Sequence, residues 1–491
     1  MHKKTKKTAA LLSAMALLLG LGLSGCVEAE EGAAAEPTAE TAEASAVAAA
    51  AYPTREDITV NETLTNDEDG GHAVSIAGEE AAYGNVAVVK TGEASGDEAD
   101  FYGANSAVFA ADGAVLELRE LIIDTDGTHA NAVFSYGQGT AVNISDSVIE
   151  TAGDCSGGLM TTGGGTMNAA NLNIHTSGRS SAAIRSDRGG GTVTVNGGRY
   201  ATDGTGSPVI YSTADITVSD AEMISTASQG VVVEGKNSVT LNNVELTADN
   251  NTQNSYRSDW YQAVMIYQSM SGDADAGLAS FSMNGGSLTN VNGDVFFVNN
   301  TVAVIELNGA AIENLDAAGL FLRAAAAGWG REGSNGGHVT LTAAKQEIAG
   351  DMLADEVSSL NLYLTEGSVF RGAIDPDGVA GQVYVELSGS SRWVLSGDSH
   401  IDSLTCEADS IDLNGHTLYV DGVAYTAGTV LTGSAIEVEI SSSGSGAPPE
   451  APPGGFDGGM PPEPPPGGFD GGTPPEPPPG GFDGEEPPAK P

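Results

Sequence analysis

The sequence predicts an all-β protein that winds as a right-handed parallel β-helix, and three observations lead to this fold class. Glycine accounts for 67 of 491 residues and aromatic residues for only 5%, which favours short strands joined by tight turns. Apolar and polar residues alternate in short segments, as expected of strands with one buried face. These segments recur at nearly constant intervals, which is typical of a solenoid.

Each repeat begins with a strand in which apolar residues alternate with polar ones ahead of a small or polar turn. Clear examples of this first strand are AVNISDSVIET (141–151), TVTVNGGRYAT (192–202), DITVSDAEMIST (215–226) and SVTLNNVELTA (238–248). A second, shorter apolar strand belongs to each repeat, for example VIY at 209–211 and VVV at 231–233. We therefore expect two or three strands per repeat.

The spacing of the repeats separates a β-helix from other repeated folds. Equivalent apolar positions lie 23 to 26 residues apart, at Leu116, Val142, Met167, Val193, Ile216 and Val239. A β-α-β unit takes about 30 residues or more, so one repeat corresponds to one coil of stacked strands. The pattern resembles the pectin-lyase-type β-helix class over roughly residues 80–390.

Polar residues recur at one position of the first strand, directly after its second inward-facing residue. In a stack of coils these side chains would lie about 4.8 Å apart and could hydrogen-bond to one another as amide ladders do. Asparagine and glycine also tolerate the left-handed backbone that the following turns need. We predict a structural role for this column, formed by Asn196, Ser219, Asn242, Asn284 and Asn308.

Two longer steps interrupt the regular spacing and predict loops that leave the coil. One step runs from Val239 to Phe281, and the other from Ile305 to Val339. Aromatic rings on such loops are platforms for stacking on sugars, although they could instead fold down and shield apolar residues on the side of the helix. The candidate ligand-binding residues are Trp260, Tyr261, Arg257, Trp329, Arg331 and Asn335, with Asp259 and Glu332 as further polar contacts.

The N-terminus predicts export. Lysines precede the apolar run AALLSAMALLLGLGL, which is short for a membrane span. The run ends in LSGC, which resembles the bacterial lipobox, and this resemblance implies lipidation of Cys26 and an outward-facing protein anchored to the membrane. We expect a signal peptide over 1–25 and a flexible tether over 26–54 that precede the β-helix with its end caps, 55–440.

The C-terminal part of the repeat region carries a closing segment and then a change in composition. The segment 391–422 contains WVLSGDS and LNGHTLYV, and it resembles the region that closes the β-helical passenger domains of bacterial autotransporter surface proteins. Residues 441–491 repeat PPGGFDG and form a Pro/Gly-rich low-complexity tail. We interpret the tail as a spacer, or as a weak multivalent ligand.

The formal net charge of −47 excludes a nucleic-acid-binding surface of the usual cationic kind. It is compatible with divalent cations, and the acid pairs Asp273/Asp275 and Asp375/Asp377 are weak candidates for calcium. No cofactor is predicted beyond this possible calcium. Cys155 and Cys406 could pair, but isolated cysteines are more often small buried residues.

The segment SSAAIRSDRGGGTVTVNGGRY concentrates arginines in a chain with few basic residues. If Ala183, Val209 and Val232 are equivalent, Arg185 stacks on Tyr211 with Glu234 one coil further. An exposed ion pair is one interpretation of this segment, and a grip on uronate or sulfate groups is another. By resemblance to pectate-lyase-like enzymes, Arg185, Asp187 and Arg188 would be the catalytic candidates, although no matching lyase motif is present.

These features predict a lipid-anchored surface β-helix that acts in adhesion or binds an extracellular polysaccharide without turnover. Its partners would be a polysaccharide or the surface of a host or neighbouring cell. The alternatives are a calcium-dependent polysaccharide lyase or hydrolase and a structural envelope spacer, because one fold hosts all three roles.

Overall fold

The computed structural model describes residues 52–253, 260–269, 271–378 and 381–440. Within these residues the protein is nearly all-β, and its strands stack coil upon coil with parallel pairing, which confirms the predicted parallel β-helix. The predictions for the signal peptide, Cys26, the tether up to residue 51 and the tail 441–491 concern residues outside this described part. Arg257 and Asp259 also lie outside it.

Each coil contributes three strands, which build three faces. Face 1 is an 11-stranded parallel sheet. Its strands are β2 (Val74–Ala77), β5 (Val108–Ala111), β8 (Val133–Tyr136), β11 (Leu159–Thr162), β13 (Ile184–Ser186), β15 (Ile210–Ser212), β18 (Val231–Glu234), β21 (Gln262–Tyr267), β24 (Asp294–Asn299), β27 (Leu322–Ala324) and β30 (Met352–Ala354).

Face 2 follows face 1 and corresponds to the first half of the predicted first strand of the repeat, whose second half, as in 141–151, forms face 3. It forms the larger part of a 21-stranded sheet. Its strands are β3 (Glu80–Gly84), β6 (Val115–Arg119), β9 (Ala141–Ser145), the first halves of β12 (Gly165–Thr176) and β14 (Gly191–Thr202), β16 (Asp215–Ser219), β19 (Ser238–Asn242), β22 (Leu278–Asn284), β25 (Thr301–Asn308), β28 (Gly337–Ala344), β31 (Ser359–Thr365), β33 (Gln382–Leu387) and β36 (Ser403–Thr405).

Face 3 completes the coil. It belongs to the same sheet because β12 and β14 run through the corner without a break. Its other strands are β1 (Glu62–Asn66), β4 (Val86–Lys90), β7 (Ile122–Thr125), β10 (Val148–Thr151), β17 (Glu222–Ser225), β20 (Glu245–Ala248), β23 (Ser287–Asn290) and β26 (Ala311–Asn314), and the last coils use a four-stranded sheet of β29 (Glu347–Ala349), β32 (Val369–Arg371), β34 (Arg392–Val394) and β37 (Ile411–Asp412).

The register confirms most of the predicted coil equivalences. Leu116, Val142, Met167, Val193, Ile216, Val239 and Phe281 pair in succession along face 2. The predicted step from Ile305 to Val339 is wrong by two residues, because Ile305 pairs with Leu341. Residues 62–84 already form strands that pair with the next coil, so this segment is a first winding and not a separate cap.

The predicted asparagine column exists, but its residues are not the ones with left-handed backbone. Asn196, Ser219, Asn242, Asn284 and Asn308 pair coil on coil as the last residues of their face 2 pairings. The Asn284 amide donates to Asn242 Oδ1 at 2.9 Å. The positive φ falls on the next residue of each coil, for example Asn171, Asp220 and Asn243.

The interior is filled by apolar side chains that stack along the axis. The rings of Phe281, Phe296 and Phe321 follow one another with centroids 5.6 and 5.5 Å apart. Each fully buried side chain of this kind stabilises the fold by about 1.5–3 kcal/mol. Because every coil buries its own share, the core continues along the described solenoid in one large cluster.

The loop that joins face 3 to face 1 is built on a repeated Thr-x-Gly-x-x-Ser pattern. The Ser181 hydroxyl accepts from the Ser156 backbone N–H at 2.9 Å and donates to the Gly153 carbonyl at 3.0 Å. The Thr151 hydroxyl donates to the Ser156 carbonyl at 2.7 Å. A Cβ on Gly178 would lie 1.8 Å from the Gly153 oxygen, so only glycine permits this coil spacing.

Further segments pack on the side of the described solenoid and at its C-terminal end. A 3-10 helix, Arg55–Asp57, lies against the outer side of face 3, where Ile58 packs against Ile122 of β7 and Val148 of β10. At the C-terminal end, Trp393 is fully buried on Phe370, and its indole N–H donates to the Gly372 carbonyl. A short sheet, β35 (Ser399–Ile401), β38 (Leu418–Val420) and β39 (Val423–Ala424), ends in an antiparallel pair that extends two residues beyond the segment predicted to close the helix, 391–422.

Replacement of Gly178 by Ala is expected to destabilise the protein by about 1–3 kcal/mol, because the new methyl group overlaps the backbone of the preceding coil. The matched control is Gly397→Ala, whose Cβ would meet its nearest neighbour, the Ala373 Cβ, at 3.4 Å. Thermal unfolding followed by circular dichroism measures both. Equal melting temperatures for the two variants would contradict the close stacking described here.

Candidate functional site

The outward side of face 1 carries a group of titratable side chains between two apolar clusters. One cluster contains Phe109, Phe134 and Met160, and the other contains Val232, Met265, Tyr267 and Phe297 with Trp260 and Trp329 packed against it. The strands between them, β13 to β21, place the charged and phenolic groups in one row. We call this row the titratable group; it consists of Arg185, Asp187, Tyr211, Glu234 and Tyr267.

Arg185 and Asp187 form a buried ion pair. The Arg185 guanidinium donates to Asp187 Oδ2 at 2.8 Å, and the two side chains are 16% and 7% exposed. Burial raises the pKa of the Asp187 carboxyl, and the charge of Arg185 opposes this shift. The pair is therefore buried, unlike the exposed pair that one interpretation of the sequence predicted. Breaking a buried pair is costly because it leaves one charge unpaired.

Glu234 is held by two tyrosines. Its Oε2 accepts from the Tyr211 hydroxyl and from the Tyr267 hydroxyl, the latter at 3.0 Å, and the two hydroxyls are 3.2 Å apart. Burial raises the pKa of the Glu234 carboxyl above its usual value, while hydrogen bonds from Ser269, Tyr211 and Tyr267 oppose the shift. A buried carboxyl group with such partners is a feature of functional sites and also of structural networks.

The predicted column from Arg185 through Tyr211 to Glu234 is only half right. Arg185 does pair with Tyr211, but Tyr211 pairs with Val232, and Glu234 lies two residues further along its strand. The Glu234 side chain nevertheless reaches the Tyr211 hydroxyl. Tyr267, which the sequence analysis did not select, completes the group because it pairs with Glu234 on the next coil.

Arg188 connects two loops across the titratable group. Its guanidinium donates to Asp273 Oδ1 at 2.8 and 3.1 Å, and it lies 3.7 Å from the centroid of the Phe101 ring. A longer contact of 3.4 Å reaches Asp97 in α1 (Asp97–Asp100). The loops near residues 97–101 and 273 therefore meet over the middle of face 1.

The predicted aromatic platforms pack onto face 1. Trp260 lies 5.6 Å from Phe297, and the Arg323 guanidinium lies 4.5 Å from its ring. Trp329 makes an edge contact with Tyr267 at 5.2 Å. This placement matches the alternative in which the rings shield apolar residues on the side of the helix.

The polar candidates on the same loops divide into two kinds. Asn335 is buried, and its amide donates to the Ala327 and Trp329 carbonyls, so it holds the loop in shape. Arg331 and Glu332 are exposed, and Tyr261 is half-buried.

The calcium candidates have other partners. Asp273 binds Arg188, and Asp275 binds Lys236 Nζ at 2.6 Å. Asp375 is buried, with Oδ1 accepting from the Ala354 N–H, whereas Asp377 is exposed. Among the described residues, no group of three or more His, Cys, Asp or Glu side chains is arranged to hold a metal ion. Cys155 and Cys406 are both free.

A second surface, on face 2, contrasts with the rest of the chain in charge. Over the coils of β12 to β22, the outward side chains are hydroxyls and amides apart from one alanine, one acid and the exposed Leu278 at the start of β22, and all are exposed or half-exposed. We call this surface the hydroxyl–amide array; it consists of Thr166, Asn168, Ala170, Thr192, Thr194, Asn196, Asp215, Thr217, Ser219, Ser238, Thr240, Asn242, Ser280, Ser282 and Asn284.

A depression of about 640 Å³ adjoins the array on the preceding coils. Tyr83, Glu117 and Asn143 line it, and Asn168 and Thr194 of the array form its far side. The array and the depression lie side by side along the axis, and Glu117 and Arg119 are the charged residues of the depression. The sequence contained a signal for this surface, since the outward residues of the predicted strands are mostly Thr, Ser and Asn, but only the asparagine column was predicted from it.

The comparisons with known proteins give no guide to the function of this chain. The chain matches no family model, and searches of curated proteins and of solved structures returned no match. In the described part of the chain, no helix is long and apolar enough to span a membrane. Function must therefore be argued from the surfaces themselves.

Tyr267→Phe is expected to destabilise the protein by roughly 1.5–3 kcal/mol, because it removes a hydrogen-bond donor from a buried carboxylate. In a Glu234→Gln background the same change should cost less, by at least about 0.5 kcal/mol. Denaturant unfolding of the four proteins in this double-mutant cycle measures the difference. A cost that is the same in both backgrounds would show that the two side chains are not coupled.

Asp375→Asn is expected to stabilise the protein at pH 8 and to lose this advantage towards pH 4. Burial, with the carboxylates of Asp402 and Asp355 adding to it, raises the pKa of Asp375 from 3.8 to about 7. The folded state thus binds this proton more tightly, and wild-type stability falls as pH rises from about 4 to about 7. Asparagine keeps the acceptor for Ala354 and tolerates the φ of 45°.

The pH dependence is measured by melting temperatures of wild type and variant from pH 4 to pH 8. Asp377→Asn, two residues away and exposed, is the matched control and should leave the profile unchanged. A constant difference between wild type and Asp375→Asn at all pH values would contradict the assignment.

Proposed function

We propose that the protein is an exported surface β-helix that binds a neutral extracellular polysaccharide along the hydroxyl–amide array, without cleaving it. The observation that carries this proposal is the nearly charge-free array in a chain of net charge −47. Only Asp215 in the array carries a charge, although the chain has 66 acidic residues. An array with a single charge on so acidic a protein favours an uncharged partner.

The chemistry of the array suits a polyol. Serine and threonine hydroxyls and asparagine amides both donate and accept hydrogen bonds, as sugar hydroxyl groups do. The array repeats every coil, at about 4.8 Å, so an extended polymer lying along the axis meets the same groups again and again. Many weak contacts of this kind add up through effective concentration, without a deep pocket.

The negative charge of the chain also selects among polysaccharides. A polyuronate or sulfated chain would be repelled by the surrounding carboxylates, and the arginines that could have gripped it, Arg185 and Arg188, are paired with Asp187 and Asp273. This argument favours a neutral glycan over the acidic one that an arginine patch alone would suggest. Lipid anchoring through Cys26 remains part of the proposal, since it would present the solenoid outside the cell.

One observation favours polysaccharide cleavage as a second candidate. Asp187 and Glu234 are carboxyl groups whose pKa values burial raises, on the outward side of one sheet. Glycoside hydrolysis uses two carboxyl groups with different environments. Release of new reducing ends by the wild type, and its loss in Glu234→Gln, would support this candidate over simple binding.

The binding proposal is tested by retention of the full chain on insoluble cellulose, chitin and mannan, with polygalacturonate as the acidic comparison. Retention is expected on at least one neutral polymer. Thr194→Glu with Thr217→Glu, on adjacent coils of the array, should weaken it by about tenfold or more, about 1.4 kcal/mol, because an uncharged polymer would remove water from two carboxylates without supplying an opposite charge.

The matched control is Thr247→Glu with Thr289→Glu, which makes the same change on adjacent coils of face 3. This variant should bind as the wild type does. Equal loss in both double variants, or retention on polygalacturonate only, would refute the array as the binding surface.

A further inference from the structure

The last described residues of the chain cross the outward side of face 2. We call residues 433–440 the strap. None of them belongs to a strand, and side chains of the coils beneath hold their backbone. The N–H groups of Gly433 and Ser434 donate to the hydroxyls of Thr405 and Ser403, at 3.0 and 2.9 Å. The strap therefore occupies face 2 as a bound peptide would.

Asn361, on β31, holds both backbone groups of one strap residue. Its Oδ1 accepts from the Ile436 N–H at 2.8 Å, and its amide donates to the Ile436 carbonyl at 3.0 Å. Asn361 is only 5% exposed beneath the strap. The outward side of face 2 thus binds a peptide backbone through amide and hydroxyl side chains, which are the residue types of the hydroxyl–amide array.

The strap runs along the axis towards the array. Its first contacts are on β36, and Asn361 of β31 holds it two coils further back. Its last residues line a cavity of about 540 Å³ together with His338 of β28. Three coil steps, from β31 to β28, β25 and β22, separate Asn361 from the first coil of the array. The strap thus brings the chain to within about 14 Å of the array along the axis.

The tail, 441–491, is long enough to cover the array. The array spans four coil steps, about 19 Å. A Pro-rich chain covers about 3.1 Å per residue, so fewer than about fifteen residues of the tail reach the array and run its full length. Of the chain's 21 prolines, 17 lie in the tail. Because proline has no N–H, such a backbone offers mainly carbonyl acceptors, which the hydroxyls and amides of the array match as donors.

The charge of the tail also favours the array. The tail contains eight acidic residues and one lysine. Surfaces rich in carboxylates repel a segment of this charge, whereas the array carries only Asp215. The array therefore tolerates the tail where a more acidic surface would not.

We propose that the tail binds the hydroxyl–amide array of its own chain, guided by the strap, and so competes with a polysaccharide for this surface. Attachment through the strap gives the tail an effective concentration on the order of millimolar beside the array, so individually weak contacts suffice. A long polymer that meets the array at many points still displaces it. Only the competition rests on the proposed function; occupancy of the array by the tail does not.

Occupancy is tested by photo-crosslinking in the full chain. p-Benzoylphenylalanine replaces Phe456 of the tail, which exchanges one aromatic side chain for another, and mass spectrometry identifies the residues that it captures. A mixture of ¹⁵N-labelled and unlabelled protein separates crosslinks within one chain from crosslinks between two chains. We expect crosslinks mainly within one chain and to residues of the array.

Two double variants carry the same probe, and circular dichroism establishes that each is folded. Thr194→Glu with Thr217→Glu should lower the yield of array crosslinks by about threefold or more, because the new carboxylates repel the acidic tail. The matched control on face 3, Thr247→Glu with Thr289→Glu, should leave the yield unchanged. Crosslinks mainly to another face or between chains, or equal yields in the two double variants, would overturn the proposal.

Competition is measured separately, by retention on cellulose, chitin and mannan. Removal of residues 441–491, which follow the strap, should raise retention by about threefold or more, because the array is then free. Array crosslinks without retention of any polymer would support occupancy and contradict the proposed function. Retention that removal of the tail leaves unchanged would refute the competition.

Discussion

The close contact of each coil with the next is the constraint on which the rest of the structure depends. Parallel pairing fixes the coil spacing at about 4.8 Å, and the loop between face 3 and face 1 must follow that spacing as closely as the strands do. Gly127, Gly153, Gly178 and Gly204 meet this demand, since a Cβ at each would lie 1.8–2.2 Å from the preceding carbonyl oxygen. The serine hydroxyls beside them satisfy the loop backbone that such crowding would otherwise leave unbonded.

Because the coils stack, a residue type that recurs at one position of the repeat forms a column along the axis. The exposure of these columns differs between face 2 and face 1. On face 2, over the coils of β12 to β22, the outward columns are exposed or half-exposed, so the repeated hydroxyls and amides form an array along the axis. On face 1 loops cover the outward side, and the charged residues of the titratable group are buried with partners from the same coil or a neighbouring coil. Burial strengthens their mutual interactions and explains why their pKa values shift upward together.

The sequence was sufficient for the fold but not for the contacts of the site, and the reason is visible in one pair of loops. The coil step from β15 to β18 on face 1 is 21 residues, whereas the step from β16 to β19 on face 2 is 23 residues. The loop before β18 is two residues shorter than the loop before β15, and the connection from β18 to β19 restores these two residues. Periodicity on face 2 thus predicted Leu116 to Val239 correctly, while the face 1 column broke after Tyr211. The Thr-x-Gly pattern at Thr125, Thr151, Thr176 and Thr202 was readable in the sequence, whereas the approach of Asp273 to Arg188 depends on loop conformation.

The two outward surfaces divide the functional argument between them. Trp260 and Trp329 rest on Phe297 and Tyr267, so part of each ring already contributes to the stability of face 1. A polymer that stacked on these rings would have to compete with Arg323 for Trp260 and would meet paired charges nearby. The array on face 2 offers hydrogen-bonding groups that need no such rearrangement, since its side chains already project from a rigid sheet, and ligand binding there costs less ordering of the protein. Rigidity and the single charge in the array support the proposal that a repeating, uncharged partner binds there.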